Sequence, residues 1–496
     1  MNSSTQARLT LVEPASGNAI AELPLTSPAE VQAAVTRASK AQPHWASMPC
    51  SERAKIIHKW RNSLISNGEA LARALSRENG KPIHEAWFHE LVPLCGALTW
   101  VAEEAPQLLA ERSVSLRWMK QYKCNITARA RGQCAIIAPY NFPVLIPFAD
   151  AAAALAAGCS VIVKPSELTP LIALTVAKLA HEAGLDSALL QVLPGGPETA
   201  CALLDADVDE VTFTGSLDHG REVARHCAER LIPCTLELGG KASLVVFEDA
   251  DVESAATATV FGALANSGQS CIAVERVIVH RRLRRALVES VVQRVKALRQ
   301  GNPLHAEVDL GALTAPASMN RLKLQVDDAI AQGARLLCGG HPLATPGQYF
   351  APTVLDECTP TMRVVCEESF GPIIPIVSVE STGEAIDVAN SGASELAAYL
   401  FGRDETRLRA LAPNLRAGHV LLNDVLWSYV CPEIPFGGQH QSGFGVVHGR
   451  EGLLSHTRPV HLGTTRLKLP DMLGIAFPYS EKARSFLQRT LRLVTR

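Results

Sequence analysis

At 496 residues, 47% of them hydrophobic and 19% charged, the chain can fill a large interior and is long enough for two or three packed units rather than one core. A formal net charge of −2 offers no basic field to nucleic acid, which sets that class of partner aside. Thirteen cysteines, an odd number without Cys-x-x-Cys spacing, suit a reducing compartment and speak against a disulfide framework or a zinc site, so no metal is expected.

Met1 to Gln6 has neither a basic nor an apolar stretch, so no secretory signal is expected and the chain reads as cytoplasmic. Residues 28 to 79 read as helices. Pro28-Ala29-Glu30 and Ser51-Glu52-Arg53 open two of them, and Ile56, Ile57, Trp60, Leu64 and Ile65 recur at helical spacing. Glu78-Asn79-Gly80-Lys81-Pro82 ends that run with a glycine stop and a proline just beyond. Residues 84 to 112 continue helical around Trp87, Leu91, Leu94 and Leu98. From 113 to 131 the pattern alternates, predicting an amphipathic hairpin with so little core that something must pair with it.

Val144 to Val163 imitates a membrane span, with Asp150 as its sole formal charge. Pro147, Gly158 and the run Val161-Ile162-Val163 divide it instead into a buried helix and strand. Around it, strands at 134–138, 160–164, 190–193 and 210–214 alternate with helices over 145–158, 170–184, from 197, and over 217–230. That alternation marks a parallel sheet covered on both faces, which takes ligands beyond the carboxyl ends of its strands. A second unit follows, with strands at 242–247, 274–280, 352–356, 372–379, 397–401 and 418–422 and helices near 251–265, 282–298 and 405–414. The predicted class is α/β.

Three short blocks stand out: Pro139-Tyr140-Asn141-Phe142-Pro143, Leu236-Glu237-Leu238-Gly239-Gly240-Lys241 and Gly268-Gln269-Ser270-Cys271. Singly, each has a plain reading: Asn141 as a turn residue, Glu237 as a charge at a ribbon edge, Cys271 as a small buried hydrophobe. As an ordered set, with 34 residues from Glu237 to Cys271 (271 − 237), they resemble the aldehyde dehydrogenase superfamily, and the resemblance spans nearly the whole chain. It implies a Rossmann-like NAD-binding domain (1–112 and 132–239), an α/β catalytic domain (240–440) and a small β oligomerisation arm (113–131 and 456–469), followed by an amphipathic tail (470–496). It also implies a homodimer or homotetramer in which the arm reaches a neighbouring subunit. On its own pattern the 113–131 hairpin is equally a surface flap.

By the same resemblance, Cys271 adds to an aldehyde, Asn141 with the Cys271 N–H holds the oxyanion, and Glu237 activates the water that hydrolyses the thioester. Relatives that pass the acyl group to coenzyme A commonly lack this Glu, so free acid is the expected product and acyl-coenzyme A the alternative. For the cofactor, Gly215-Ser216-Leu217-Asp218-His219-Gly220 offers N–H groups and a helix dipole to a pyrophosphate, a weak signal by itself. Lys164 and Glu167 read as a surface ion pair or, by resemblance, as holders of the adenosine ribose, where Glu167 repels a 2′-phosphate; NAD is expected, with NADP the alternative. Tyr140 and Leu238 complete the expected cofactor contacts. Glu368 is expected on the nicotinamide ribose and Phe370 near its ring, with Glu367 a solvated neighbour. In the late block from Pro435 to Gly445, His440 stands where the family usually has lysine.

Leu145, Ile146, Ala149, Leu264 and Ala265 flank Asn141 and Cys271 with an aliphatic lining and no arginine for a carboxylate. The expected substrate is an apolar medium- or long-chain or aromatic aldehyde, with a semialdehyde as the alternative. Ile475 to Tyr479 leads into a tail with Phe486, Leu487, Leu491, Leu493 and Val494 among Lys482, Arg484, Arg489, Arg492 and Arg496. Such a segment suits an anionic membrane surface, or docking on the enzyme or a second subunit.

Overall fold

The computed structural model describes residues 7–117, 120–392, 396–466, 477 and 479–494. An antiparallel hairpin, Arg8–Val12 with Ala19–Pro24, opens the chain; its short, half-exposed strands carry too little alternation to be marked in the sequence. Ser27 and Glu30 close a capping box ahead of the helix Pro28–Ser47. Cys50–Ser66 and Gly68–Asn79 follow, and Gly80 stops the last with φ 93°. Ile65, placed in the apolar stripe by its spacing, is 59% exposed, because Trp60 and Leu64 already fill the buried side.

The run expected over 84–112 divides into Ile83–Ala86, a π-helical turn Trp87–Leu91 and the helix Val92–Leu108, and gives way to strand at Arg112. The π turn buries His89, Glu90 and Leu91 in succession. An α-helix rotating about 100° per residue spreads three neighbours too widely for one face; the wider turn re-aims them.

The first sheet runs in the order Gly443–Phe444, Cys234–Leu238, Glu210–Gly215, Gln133–Ile137, Ser160–Lys164, Leu190–Val192, parallel except for its first pair. From Gln133–Ile137 the chain winds outward to Leu190–Val192, then restarts on the other side with Glu210–Gly215. The winding reverses between those two central strands, where sheets of this kind open a crevice. Cys234–Leu238 goes unmarked in the sequence because Glu237 sits inside it. The helix Leu145–Ala157 is buried along all of its 13 residues, which accounts for the span-like apolar run. Among the described residues no helix is long and apolar enough to cross a membrane.

The second sheet has the order Arg335–Cys338, Thr353–Cys358, Ile373–Val379, Arg276–His280, Ser243–Val246, Ala397–Phe401, His419–Leu422, again parallel except for the first pair. In Arg276–His280, Val277 and Val279 enter one core and Ile278 the other, the period of two of a strand covered on both faces. The hairpin expected over 113–131 appears as Arg112–Val114 and Tyr122–Ala130, and it finds its partner in Thr457–Thr465, antiparallel along its whole length. The tail forms a helix, Glu481–Val494. Ile475, Ala476, Pro478 and Arg496, and the side chains of Leu493 and Val494, lie outside the described residues.

Candidate active site

The carboxyl ends of four parallel strands deliver Asn141 and the expected cofactor residues other than Glu368 and Phe370 to one edge of the first sheet. Tyr140 and Asn141 follow Gln133–Ile137, Lys164 ends Ser160–Lys164, Gly215 ends Glu210–Gly215, and Leu238 ends Cys234–Leu238. Ser216, the cap of the helix Leu217–Glu229, turns its hydroxyl to His219 Nδ1 at 2.9 Å rather than to the backbone, leaving the first-turn N–H groups open to an anion. A Cβ at Gly220 would lie 2.4 Å from Leu238 Cδ2, so any larger residue there would displace the Leu238 side chain that packs between helix and strand. Lys164 Nζ is 3.5 Å from the Glu167 carboxylate, with side-chain exposures of 6% and 45%. Burial pulls the Lys164 pKa down and Glu167 partly restores it. The lysine half is therefore no surface group, while Glu167 stays open to a ligand.

Cys271 follows three successive left-handed residues, Asn266, Ser267 and Gly268, with φ of 51°, 54° and 76°. A Cβ on Gly268 would stand 2.3 Å from the Gly371 carbonyl oxygen. Such a kink persists only if its surroundings fix it. Gln269 does so from a fully buried position: its Oε1 accepts the Thr314 N–H at 2.9 Å and its Nε2 donates to Asn266 O at 3.1 Å. Asn141 Nδ2 donates to Gln269 O at 3.0 Å, and Asn141 O accepts from Asn266 Nδ2 at 2.9 Å and Lys81 Nζ at 2.8 Å. The Asn141 amide thus ties its block to the cysteine loop and caps no turn of its own.

Beneath these loops lies a polar scaffold that the sequence reading treats only as a helix stop. Lys81 Nζ donates to Glu90 Oε1, and Glu90 Oε2 accepts the N–H groups of Val144 and Leu145 at 3.0 and 2.7 Å, capping the helix that follows Asn141. Asn79 Nδ2 donates to Tyr140 O at 2.7 Å, and Glu78 accepts from Leu171 and Ile172. Polar Glu78, Asn79 and Lys81, packed around one glycine stop, are the signal that was there to be weighed.

Glu237 is 6% exposed, and neither of its carboxylate oxygens has a hydrogen-bond partner among the described residues. Burial, reinforced by Asp150, pushes its pKa well above the usual carboxylate range. It is no ribbon-edge charge. Cys271 opens on a narrow, largely apolar pocket, and burial, then Glu237 and Glu368, push its thiol up to about 12. Leu145, Ile146 and Ala265 line that pocket as expected. Ala149 and Leu264 do not; both point into the apolar cores, at 2% exposure each. Phe142, next to Asn141, takes a place on the wall, as do His89, Leu426 and Tyr429, brought in from distant segments that no local pattern connects.

Glu368 accepts the Gly240 N–H at 3.1 Å, and burial, followed by Glu275, raises its pKa to about 7. A Cβ on Gly239 would meet its Oε1 at 2.3 Å. Phe370, at φ 48°, stands edge-on to Tyr140 with centroids 6.0 Å apart. Both Ser369 and Phe370 are held by the buried Glu275, which accepts their N–H groups at 2.9 and 2.8 Å and pairs with Lys241 Nζ at 2.6 Å. Glu367 is half exposed against Arg363, and His440 is exposed in a 3₁₀ turn.

One buried grouping carries metal-ligand chemistry among the described residues: Cys134, Glu210 and His456. His456, however, is already engaged at both nitrogens, by Glu210 at 2.9 Å and Asp150 at 3.1 Å. Burial by itself lowers its pKa, but the two carboxylates outweigh it and raise it to about 10, the state of an imidazolium between two anions.

The fold and this edge define an α/β dinucleotide-type oxidoreductase with a cysteine at the mouth. The sequence matches the aldehyde dehydrogenase family over residues 1–461, and the chain belongs to that family. It is 34% identical to a 4,4′-diapolycopene aldehyde oxidase of Methylomonas sp over 95% of this chain and 88% of that one. It is 35% identical to a betaine aldehyde dehydrogenase of Cereibacter sphaeroides, over 94% and 96% respectively. The structure superposes on the NAD+ complex of a Bacillus cereus aldehyde dehydrogenase with a TM-score of 0.89 and 31% identity, covering 92% of this chain and 93% of that chain.

Proposed function

We propose that this enzyme oxidises apolar medium- or long-chain or aromatic aldehydes to free carboxylic acids, with NAD as the hydride acceptor. The observation that carries the reading is Glu237: a buried carboxylate with no partner for either oxygen among the described residues, close enough to Cys271 to raise its pKa. A group kept in that condition is poised to take a proton from water rather than to hold structure together.

In this reading the Cys271 thiolate adds to the aldehyde carbon, and the developing oxyanion is met by Asn141 Nδ2 and the Cys271 N–H. A bound nicotinamide would supply the hydride acceptor for the thiohemiacetal that Cys271 holds. Glu237 then deprotonates the water that cleaves the thioester. The residues fit such a cofactor: the open N-terminus of Leu217–Glu229 suits its pyrophosphate, Glu167 its adenosine ribose and Glu368 the nicotinamide ribose, with Tyr140, Phe370 and Leu238 supplying apolar surface. Apolar substrates are favoured because, among the described residues, the pocket wall carries no arginine or lysine to hold a second carboxylate.

For the division of the chain we keep 1–112 with 132–239 as the cofactor unit, 240–440 as the catalytic unit and 113–131 with 456–469 as the arm. Leu462 and Tyr122 on the arm, 60% and 40% exposed, support its contact with another subunit of a homodimer or homotetramer. The Glu481–Val494 helix is proposed to lie on an anionic membrane surface, where apolar aldehydes gather. Lys482, Arg484, Arg489 and Arg492 stand against Glu481 as its only acid, and Phe477, Tyr479, Leu487 and Leu491 are 83%, 71%, 50% and 66% exposed.

The test is a panel of aldehydes of graded length with NAD and NADP, read as nicotinamide absorbance. A kcat/KM for succinic semialdehyde above that for decanal would reject the substrate class, and coenzyme A-dependent thioester formation would reject the product.

A further inference from the structure

His89 is a polar residue of the pocket wall that the reaction leaves unused. The π turn aims it inward, it is 8% exposed, and neither ring nitrogen finds a hydrogen-bond partner among the described residues; Nδ1 is shut off from solvent, which leaves Nε2 as the nitrogen open to a ligand. Its ring lies among Phe88, Phe261 and Phe142, with centroids at 5.1, 5.9 and 6.4 Å. Burial, and then Lys81, lower its pKa to about 4, so the imidazole is neutral at working pH. An unpaired polar edge is costly to bury among phenyl rings, and a ligand that pairs with it removes that cost.

We propose that His89 sets specificity in this pocket by hydrogen-bonding, through Nε2, a hydroxyl carried on the apolar body of the aldehyde. A hydroxyl both gives and accepts, so it satisfies either imidazole tautomer. A cationic substrate fits poorly despite the aromatic wall, because Lys81 Nζ already sits 4.3 Å from the Phe142 ring centroid. The inference rests on the apolar-aldehyde reading above and narrows it.

The experiment compares kcat/KM for benzaldehyde, 3-hydroxybenzaldehyde, 4-hydroxybenzaldehyde and betaine aldehyde, with NAD, in the full chain and in His89→Phe and His89→Gln. One hydroxylated isomer is expected to exceed benzaldehyde by about tenfold in the wild type and to fall to within about twofold of it in His89→Phe, with partial recovery in His89→Gln. Each preference is taken as the ratio to benzaldehyde within one protein, so a general change of the pocket cancels, and a melting temperature equal to that of the wild type reports that the variants fold. A preference retained in His89→Phe, no preference in the wild type, or betaine aldehyde as the best of the four overturns the inference alone. If the wild type oxidises decanal but none of the three aromatic aldehydes, this inference falls while the apolar-aldehyde reading stands; if it oxidises neither decanal nor any of those three, both fall.

Discussion

Lys81 Nζ lies 2.6 Å from Glu90 Oε1 with both side chains sealed from solvent, and the same ammonium donates to the carbonyl of Asn141. Removing one partner leaves a buried, uncompensated charge, which costs about 3–5 kcal/mol. Lys81→Met and Glu90→Gln are each expected to lower the melting temperature and kcat together. Replacing both, as Lys81→Met with Glu90→Leu, should recover part of the stability but not kcat, since Asn141 has still lost its anchor. Full recovery of kcat in the double variant would show that the pair does not position Asn141.

Asn141→Ala should reduce kcat by about 100- to 1000-fold, the loss typical of one oxyanion donor. Because the same amide holds the Gln269 carbonyl, Asn141→Asp, which keeps the size but not the donor, is the sharper comparison. Cys271→Ser should abolish oxidation altogether; residual turnover near wild type in that variant would remove the nucleophile.

Glu237 titrates above the ordinary carboxylate range, so its basic form, and with it thioester hydrolysis, grows as pH rises through that shifted value. In Glu237→Gln this rising limb should vanish while a rapid burst of reduced nicotinamide persists, one per active site. Stopped-flow absorbance at several pH values reads both. An unchanged rising limb would place the base elsewhere.

His456 has its folded pKa raised from 6.5 to about 10, so the folded chain holds a proton there that the unfolded chain releases. Its contribution to stability is full below pH 6.5 and drains away as pH climbs towards about 10. His456→Gln, which leaves Asp150 and Glu210 facing each other, is expected to be less stable near neutrality and to show a flatter decline on the alkaline side. Urea denaturation across that range measures the slope; equal slopes in the two proteins would mean that His456 is neutral when folded.

The full chain should float with phosphatidylglycerol vesicles at low salt and detach at high salt, while a chain ending at Arg466 stays in the soluble fraction. Both forms staying soluble, with the shorter one falling to a smaller assembly, would assign the helix to a second subunit.

Regular elements were legible wherever one period dominated, as in the alternation from 133 to 230. The three blocks around Asn141, Glu237 and Cys271 were legible because each is short and contiguous. What escaped was polar and non-local. Glu275 and the Lys81–Glu90 pair become meaningful only once their partners arrive from other segments, and a lone buried charge looks like any other charge along the chain. Tyr429 and His89 reach the pocket from opposite ends of the polypeptide, and the π turn that aims His89 has no sequence period to betray it.

Glu237 sits on a strand whose second neighbour is Gly443–Phe444, 206 residues further along (443 − 237) and paired with it antiparallel. A chain cut before Gly443 would leave that edge of the sheet bare beside the carboxylate. Shortening the protein from its far end should therefore cost thioester hydrolysis well before it reaches any residue named in the mechanism.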